Sequence, residues 1–299
     1  MKKLFTLSLL LMSMVAAQAQ LKVAPKLAKG MSRTYSETQA MTLPGQAAFT
    51  ITDEMTYTIT DNTVDGYLVD VVTTNIKSDA AAENMAAQLI TASCQLMQDV
   101  PIRVVTDKDG KILKLADYAT LSKTIDQRAD QTADKMLQAM PQLAQALPKD
   151  MLKQQIMNQS DEESLLKSLQ QGASCAMMLN GKTVMTGGQE SYVNHQGLKM
   201  KRMYFVNGRN VTTSATLDMT RDELKALIIA QVEQSLPDQA ATIKQNIDQL
   251  IDSGMFKFEM KEKATLEFSD DCWPKTIKVE TVNDTMGQQS TITTTVTAK

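Results

Sequence analysis

The chain has 299 residues, of which 43% are hydrophobic and only 4% aromatic, and it carries a formal net charge of −3. Because it is mildly acidic and has no block of basic residues, its composition argues against binding to nucleic acids or to anionic membrane surfaces. It contains one histidine, His195, and neither a CxxC nor an HExxH motif, so we expect no zinc site of the common types and no cofactor.

The N-terminus has the three parts of a cleavable secretory signal. Met1–Lys3 is basic, Leu4–Val15 is apolar, and residues 17–19 (Ala-Gln-Ala) form a small-x-small cleavage site. The apolar run is shorter than the roughly 20 residues that cross a bilayer. The first cysteine is Cys94, so we expect no lipid anchor at the cleavage site. We predict a signal peptide over residues 1–19 and a soluble protein of a Gram-negative periplasm, or one secreted beyond it.

The next part of the chain is typical of antiparallel strands followed by a helix. Between Phe49 and Ile59, apolar residues alternate with threonine and aspartate, which is the period of a half-buried strand. Tyr67–Ile76 predicts a second strand, because it is rich in valine and threonine. Ala80–Val100 has apolar residues at helical spacing and is followed by a proline. Ile102–Leu113 predicts a hairpin with a glycine in its turn.

A long helical region is predicted from about Tyr118 to Leu169, with breaks at Pro141 and Pro148. We interpret it as a helical insertion at about 117–170. Immediately after it, Met177–Met185 predicts a hairpin, because an Asn-Gly pair at its centre favours a two-residue turn.

The C-terminal part again combines strands with a helix. A second Asn-Gly hairpin is predicted over Met203–Leu217. Thr220–Glu223 fits a capping box, in which the first and last side chains bind each other's backbone amides at the start of a helix. From Phe256 to Val296 the apolar residues alternate once more, which predicts an antiparallel meander.

Together these elements predict the α+β class, because strands occur in groups that helices separate. Each strand alternates between an apolar and a polar face, so the sheet has one dry side. The amphipathic helices must bury their apolar stripes. We therefore predict a single domain over residues 20–299, built on a curved antiparallel β-sheet, or half-barrel, with the helices packed on its concave face.

This layout resembles that of the periplasmic lipoprotein carriers and their outer-membrane receptor, in which a bent half-barrel holds helices over an apolar cavity. A second resemblance rests on Val105–Leu113, followed by Leu121 and by methionine- and glutamine-rich helices that end near Leu169. This stretch is similar to a family of secreted Bacteroidota proteins that has no assigned activity. The resemblance therefore implies secretion but no functional residue.

Methionine is unusually frequent, with 21 residues. Its side chain is flexible and polarisable, so methionines on helices above a concave sheet favour a cavity for an apolar ligand. The predicted cavity lining is Met136, Met140, Met151, Ile156, Leu227 and Ile228. In one alternative, the same residues simply fill the core. In another, pairs such as Met200 and Met203 bind Cu(I) through their thioether sulfurs.

The three cysteines are Cys94, Cys175 and Cys272. In an oxidising compartment two of them can form a disulfide. Cys94 and Cys175 each lie where a helical stretch meets a strand, which favours a bond between these two, and three buried thiols are the alternative. His195 lies in a polar Asn-His-Gln-Gly sequence that is typical of a surface turn rather than of a catalytic base.

The leading hypothesis is a non-enzymatic periplasmic or secreted binding protein that carries a lipid, another apolar ligand or an exported client. The alternative is a structural or protein-interaction component of the cell envelope with no small-molecule ligand. A third hypothesis is an enzyme that relies on carboxylates alone, since glycosidases use two facing acids. The acidic residues considered for that role are Asp61, Asp65, Asp70, Glu162 and Glu163.

Overall fold

The computed structural model describes residues 19–139, 147–157, 160–235, 241, 244–248, 258–285 and 287–299. Its strands are β1 (Gln20–Lys22), β2 (Ser32–Thr42), β3 (Phe49–Asn62), β4 (Gly66–Ser78), β5 (Ile102–Asp107), β6 (Ile112–Leu115), β7 (Thr183–Met185), β8 (Gln189–Val193), β9 (Lys199–Asn207), β10 (Asn210–Leu217), β11 (Phe258–Phe268), β12 (Pro274–Thr285) and β13 (Gln288–Ala298). Its helices are α1 (Met85–Leu96), α2 (Tyr118–Ala139), α3 (Lys149–Ile156), α4 (Glu162–Gln171) and α5 (Arg221–Ser235). The predicted signal peptide, apart from Ala19, lies outside the described residues.

Eleven strands form one antiparallel sheet in the order β6-β5-β4-β3-β2-β13-β12-β11-β10-β9-β8. All neighbours in this sheet are consecutive in the chain except β2 and β13, so two meanders meet in its middle. The sheet is open, with β6 and β8 as its edges. This arrangement confirms the predicted α+β class and is that of a half-barrel. The remaining strands, β1 and β7, pair with each other.

Alternation of residue type places one face of this sheet in the core. Along β9, every second residue from Met200 to Val206 is buried and the residues between them are exposed. In β2 the buried positions include Tyr35 and Met41, and in β3 the equivalent face runs from Phe49 to Ile59. We call this buried side of the sheet the inward face.

Helices α2, α3 and α4 pack on the inward face. Ile125 of α2 and Ile156 of α3 belong to the same buried cluster as Tyr57 and Ile59 of the sheet. Burial of each such large side chain stabilises the fold by about 1.5–3 kcal/mol. None of the helices in the described part of the chain combines the length and the apolar character needed to cross a membrane.

Local capping fixes where several helices begin. The capping box at α5 is confirmed, because the Glu223 amide donates to Thr220 Oγ1 at 3.3 Å and the Thr220 amide donates to Glu223 Oε2 at 2.9 Å. Helix α1 is shorter than the predicted Ala80–Val100 and begins after Asn84, whose Oδ1 accepts the Ala87 amide at 3.0 Å.

The hairpin predicted over Met177–Met185 is wrong. Asn180-Gly181 does form a turn, with φ of 74° at Gly181, but residues 173–182 are a series of turns. Met177, Met178 and Leu179 are all buried, whereas consecutive residues of a hairpin strand with one wet face would alternate. The Gly181 amide donates to the Val23 carbonyl at 2.8 Å, so this segment joins the N-terminal strand region instead.

Candidate functional site

A fully buried arginine lies on the inward face, close to the β8 edge of the sheet. Arg202 has 0% exposure and belongs to the buried set of alternating residues in β9. Its partner in register on β8 is Glu190, and Glu262 lies two strands away on β11. We call the group Arg202, Lys182, Glu190, Tyr192, Tyr204 and Glu262 the Arg202 cluster.

The guanidinium group of Arg202 has several polar neighbours. Nη2 donates to the Gln171 carbonyl at 2.8 Å and to Glu262 Oε1 at 3.3 Å. Nη1 lies 4.0 Å from Glu190 Oε2. The group lies over the ring of Tyr192, with 4.2 Å between Cζ and the ring centroid, as in a cation–π contact. Nε and Nη1 have no hydrogen-bond partner among the described residues.

Glu190 links the arginine to a second buried cation. Lys182 Nζ donates to Glu190 Oε1 at 2.7 Å, and the Tyr204 hydroxyl donates to the other carboxylate oxygen. Burial alone would raise the pKa of Glu190, but these two hydrogen bonds hold it below its ordinary value. Burial lowers the pKa of Lys182 in spite of its carboxylate partner. The charges of Lys182, Glu190 and Arg202 therefore stabilise one another, because a buried charge without a partner is strongly unfavourable.

A cavity of about 150 Å³ adjoins the cluster, and we call it the His195 cavity. His195 is half-buried, and burial lowers its pKa, so the ring is neutral at pH 7. The sequence predicted a surface turn here. The turn is present, since Asn194 Oδ1 accepts the amides of Gln196 and Leu198, but the histidine ring lines the cavity instead of projecting from the surface. The polar residues that line the cavity include Tyr192, Asn194, His195, Glu262, Thr281 and Thr294.

An apolar cluster borders the His195 cavity at the same end of the sheet. The buried members of this Met260 cluster are Leu198, Met200, Ala215 and Met260, and Met260 also lines the cavity. Leu227 of α5 packs against the cluster. Leu224, Leu227 and Ile228 are only half-buried, so α5 is less tightly enclosed than the helices of the main core.

A second buried polar group consists of two carboxyls on adjacent strands. Glu37 of β2 and Asp53 of β3 are direct partners in register, and both lie on the inward face. Glu37 is 4% exposed and accepts a hydrogen bond of 2.6 Å from Gln39 Nε2. Asp53 Oδ1 is buried and has no hydrogen-bond partner within the described ranges. The bulge between Thr52 and Glu54 leaves Asp53 without a register partner on β4.

Burial, with a smaller contribution from Asp53, raises the pKa of Glu37 to about 8. Burial also raises the pKa of Asp53 to about 6. Glu37 is therefore largely protonated at pH 7, as expected when two neighbouring carboxyls cannot easily ionise together. Burial likewise raises the pKa of Cys94 to about 11, and it raises the pKa of Tyr57, so these two neighbours are uncharged at pH 7.

Three of the five carboxylates considered for a glycosidase mechanism are paired with cations. Asp61 accepts a hydrogen bond from Lys29 at 2.8 Å, and Asp70 binds two nitrogens of Arg103 at 2.7 and 2.9 Å. Glu163 forms an ion pair with Lys167. The other two, Asp65 and Glu162, are exposed.

Metal binding finds no support in the described residues. The structure there contains no group of three or more His, Cys, Asp or Glu side chains arranged to hold a metal ion. Met200 is buried on the inward face whereas Met203 is exposed on the other face of the same strand, so the two cannot share a Cu(I) ion.

The residues predicted to line an apolar cavity are divided between separate places. Met136 and Ile156 are buried in the main core, whereas Leu227 packs against the Met260 cluster. Met151 is 43% exposed, and Ile228 is half-buried on α5. Met140 lies outside the described residues.

The predicted disulfide between Cys94 and Cys175 is not formed, because all three cysteines are free thiols. Cys94 packs against the small cluster around Ile51 and Phe49, whereas Cys175 belongs to the main core and lies 3.7 Å from the Tyr57 hydroxyl. The sequence placed each cysteine where a helical stretch meets a strand, but it gave no information on how those stretches pack.

The raised pKa of two of the three thiols predicts selective labelling. In the native protein at pH 8, we expect Ellman's reagent to modify half-buried Cys272 much faster than Cys94 or Cys175, because burial raises the pKa of both of those thiols. Release of thionitrobenzoate and peptide mapping measure this. The Cys272→Ser variant should lose the fast phase, and the Cys94→Ser variant should keep it. Fast modification of Cys94 in the native state would contradict the packing.

The buried charged residues were not identified from the sequence, although a signal for them was present. Arg202 stands between Met200 and Tyr204 in an alternating strand, and Asp53 stands between Ile51 and Met55. A charged residue at an apolar position of a period-two pattern is either buried with partners or evidence against the strand.

No family model matches the chain, and no curated protein matches it. A solved structure described as lipid–protein interactions in lipovitellin is similar, with a TM-score of 0.41 and 9% sequence identity. The match covers 92% of this chain and 25% of the lipovitellin chain, so this chain spans about a quarter of that protein's length. Similarity at this level carries no information on what this chain binds.

Proposed function

We propose that this protein is an exported, non-enzymatic carrier that binds an apolar ligand on the inward face of its half-barrel. The observation that carries the proposal is the junction at the β8 end of the sheet. There a cavity lined by both polar and apolar residues opens beside a methionine-containing apolar cluster, and Met260 belongs to both. An amphiphile needs both kinds of surface next to each other, because a ligand site is mostly apolar with a few orienting polar groups.

The apolar part of such a site must open to admit a ligand. Met200 and Met260 have flexible side chains that can repack around an acyl chain. Helix α5 is suited to move because Leu224, Leu227 and Ile228 are only half-buried. Local openings involve segments with few buried contacts, and α5 is such a segment compared with α2.

The polar part of the proposed site provides hydrogen bonds for a head group. Glu262, Thr281 and Thr294 line the His195 cavity from the sheet, and His195 lines it from the turn after β8. The cavity of about 150 Å³ has room for a head group but not for a long chain, which would lie in the Met260 cluster. Of the predicted lining residues, this proposal retains Leu227 and Ile228.

We include export in the proposal because a signal peptide is predicted over residues 1–19, which favours a periplasmic or secreted carrier. A non-enzymatic role is supported by the surroundings of Glu190 and Glu37. Glu190 accepts two hydrogen bonds, and Glu37 is 4% exposed and protonated near neutral pH. Neither is free to act as an acid or base towards a substrate in a cleft.

An interaction component of the cell envelope is the second candidate. It is favoured by exposed apolar side chains on the outer surface near the β8 edge: Met185, Met203 and Phe205 are 39%, 38% and 47% exposed. Exposed apolar groups beside an unpaired strand edge are typical of protein contacts. A stoichiometric protein partner, without a co-purifying lipid, would favour this candidate over the carrier.

A charge placed beneath α5 tests the carrier proposal. We expect Leu227→Asp to weaken binding of a fluorescent fatty acid at least tenfold, since it puts a carboxylate against the Met260 cluster. The matched control is Ala226→Asp, which adds the same charge at the neighbouring exposed position and should bind normally. Native mass spectrometry of the wild type, purified without delipidation, should detect a bound lipid. Absence of both lipid and fatty-acid binding would overturn the proposal.

A further inference from the structure

A second cavity, separate from the proposed ligand site, lies between the C-terminal end of α4 and the β5–β6 hairpin. It has a volume of about 260 Å³, and its lining includes Lys111, Gln171, Met177, Met178, Asn180 and Lys182. We call it the Asn180 cavity. The Asn180-Gly181 turn packs closely against the β5–β6 hairpin, and glycines on both sides make room for this contact. A Cβ added at Gly110 of the hairpin would lie only 3.1 Å from Asn180 Nδ2, and a Cβ added at Gly181 would lie only 3.0 Å from Lys111 Cβ.

Two side-chain amides in this lining have buried atoms that lack hydrogen-bond partners. Asn180 is 1% exposed, and neither its Nδ2 nor its Oδ1 has a partner within the described part of the chain. The same is true of Gln171 Oε1. An unsatisfied buried polar group destabilises a protein by about 1–3 kcal/mol, so groups of this kind usually have a bound partner. Both amides border the same cavity, and a single occupant can satisfy them.

The charges around the cavity are predominantly positive. Lys111 and Lys182 line it, and no acidic side chain does so among the described residues. Lys182 is paired with Glu190. The same carboxylate also accepts a hydrogen bond from the Tyr204 hydroxyl, and its Oε2 lies 4.0 Å from Arg202 Nη1. Burial lowers the pKa of Lys182, which indicates that its charge is incompletely compensated.

Two carboxylates of the adjoining hairpin have partners of their own. Asp107 Oδ1 accepts the backbone amides of Asp109 and Lys111, which fixes the hairpin turn. Asp109 lies 3.7 Å from Lys22 Nζ. Lys182 already pairs with Glu190, so Lys111 is the lining cation for which an added negative charge would supply a partner.

We propose that the Asn180 cavity binds an anionic group of the carboxylate or phosphate type. The Asn180 amide nitrogen donates to this group, and Lys182 and Lys111 supply positive charge on either side. Met177 and Met178 border the same space, so the anion is either a free small ion or the head group of an amphiphile. This inference does not rest on the carrier function, because Asn180, Lys111 and Lys182 do not line the His195 cavity, although Gln171 lines both cavities.

Isothermal titration at pH 7 and low ionic strength tests the site with two probes, inorganic phosphate and dodecanoate below its micellar concentration. We expect at least one of them to bind, and Asn180→Leu to weaken that binding about tenfold or more, as for loss of a hydrogen bond to a charged group. Asn207→Leu is the matched control, because Asn207 precedes a glycine in an exposed turn. It should bind like the wild type.

If Asn180→Leu folds poorly, Lys182→Met serves as a second variant. The melting temperature with and without phosphate is then a second measure of binding. Binding of phosphate alone identifies a free anion, and binding of dodecanoate alone identifies an amphiphile head group. Binding of neither probe, or binding that Asn180→Leu and Lys182→Met leave unchanged, overturns the inference. If phosphate binds through Asn180 and no fatty acid binds anywhere, the carrier proposal fails while this site stands.

Discussion

Replacing Arg202 with methionine is expected to lower the free energy of unfolding by about 3–5 kcal/mol, among the largest effects of any single substitution in the chain. Methionine fills much of the same volume, so the loss is electrostatic rather than a cavity effect. It removes the buried cation between Glu190 and Glu262 and leaves their negative charges incompletely paired. Urea unfolding followed by the fluorescence of Trp273, the single and buried tryptophan, measures the change.

The matched control for this experiment is Lys201→Met, which removes a positive charge from the exposed face of the same strand. It should alter stability by less than about 1 kcal/mol, as expected for a surface charge. Adding Glu262→Gln to Arg202→Met should recover part of the loss, since Glu190 still pairs with Lys182 and Glu262 no longer carries an unpaired charge. Equal effects of Arg202→Met and Lys201→Met would refute the burial of this cluster.

Replacing Glu37 with glutamine is expected to stabilise the protein at pH 8 and to have little effect at pH 5. The folded-state pKa of Glu37 is about 8, above its ordinary value of 4.5, so the folded state retains a proton that the unfolded state has lost between these two values. Stability therefore falls as pH rises from about 4.5 to 8 and is then constant. Each pH unit between the two pKa values corresponds to about 1.4 kcal/mol, which gives a total on the order of 5 kcal/mol.

Glutamine keeps the acceptor that Gln39 uses, so Glu37→Gln should fold and should flatten much of this pH dependence. Unfolding free energies at pH 5, 6, 7 and 8 measure it, with Asp53 contributing a smaller slope below about pH 6. Glu54→Gln is the control, because Glu54 is an exposed neighbour paired with Lys299 and its pKa is lowered. A wild-type stability that does not change between pH 5 and pH 8 would contradict the buried carboxyl pair.

Much of the fold followed from residue patterns. The alternation in Phe49–Ile59 and in the C-terminal strands predicted the antiparallel sheet, because period two leaves one face dry. The hairpin predicted over Met203–Leu217 was confirmed, although its turn residues are Gly208 and Arg209, whereas the hairpin at Asn180-Gly181 was not. Both dipeptides supply a glycine with positive φ, but only the first is flanked by alternating residues. Around Asn180 the flanking residues are buried in succession, and tertiary packing decides their conformation.

The candidate sites were less accessible to prediction because they depend on register. Glu37 and Asp53 come together only because β2 and β3 pair with a particular offset, and a shift of one residue would place them on opposite faces. Arg202 and Glu262 are 60 residues apart in sequence and meet across an intervening strand. The sequence shows Glu37, Asp53 and Arg202 at positions where the strand pattern expects apolar residues. It does not show which residue lies beside each of them in the folded sheet and so allows its burial.

The meeting of β2 and β13 in the middle of the sheet has a consequence for how the protein matures. Ser36 and Thr297 are 261 residues apart in sequence, yet their strands are neighbours. The first meander, β2 to β6, can form while the chain is being synthesised, but its pairing with β13 must wait for the last strand. Until then β2 exposes an unpaired edge, which favours aggregation. We therefore expect misfolding to begin at the late pairing of β2 with β13, because contacts between residues distant in sequence form slowly.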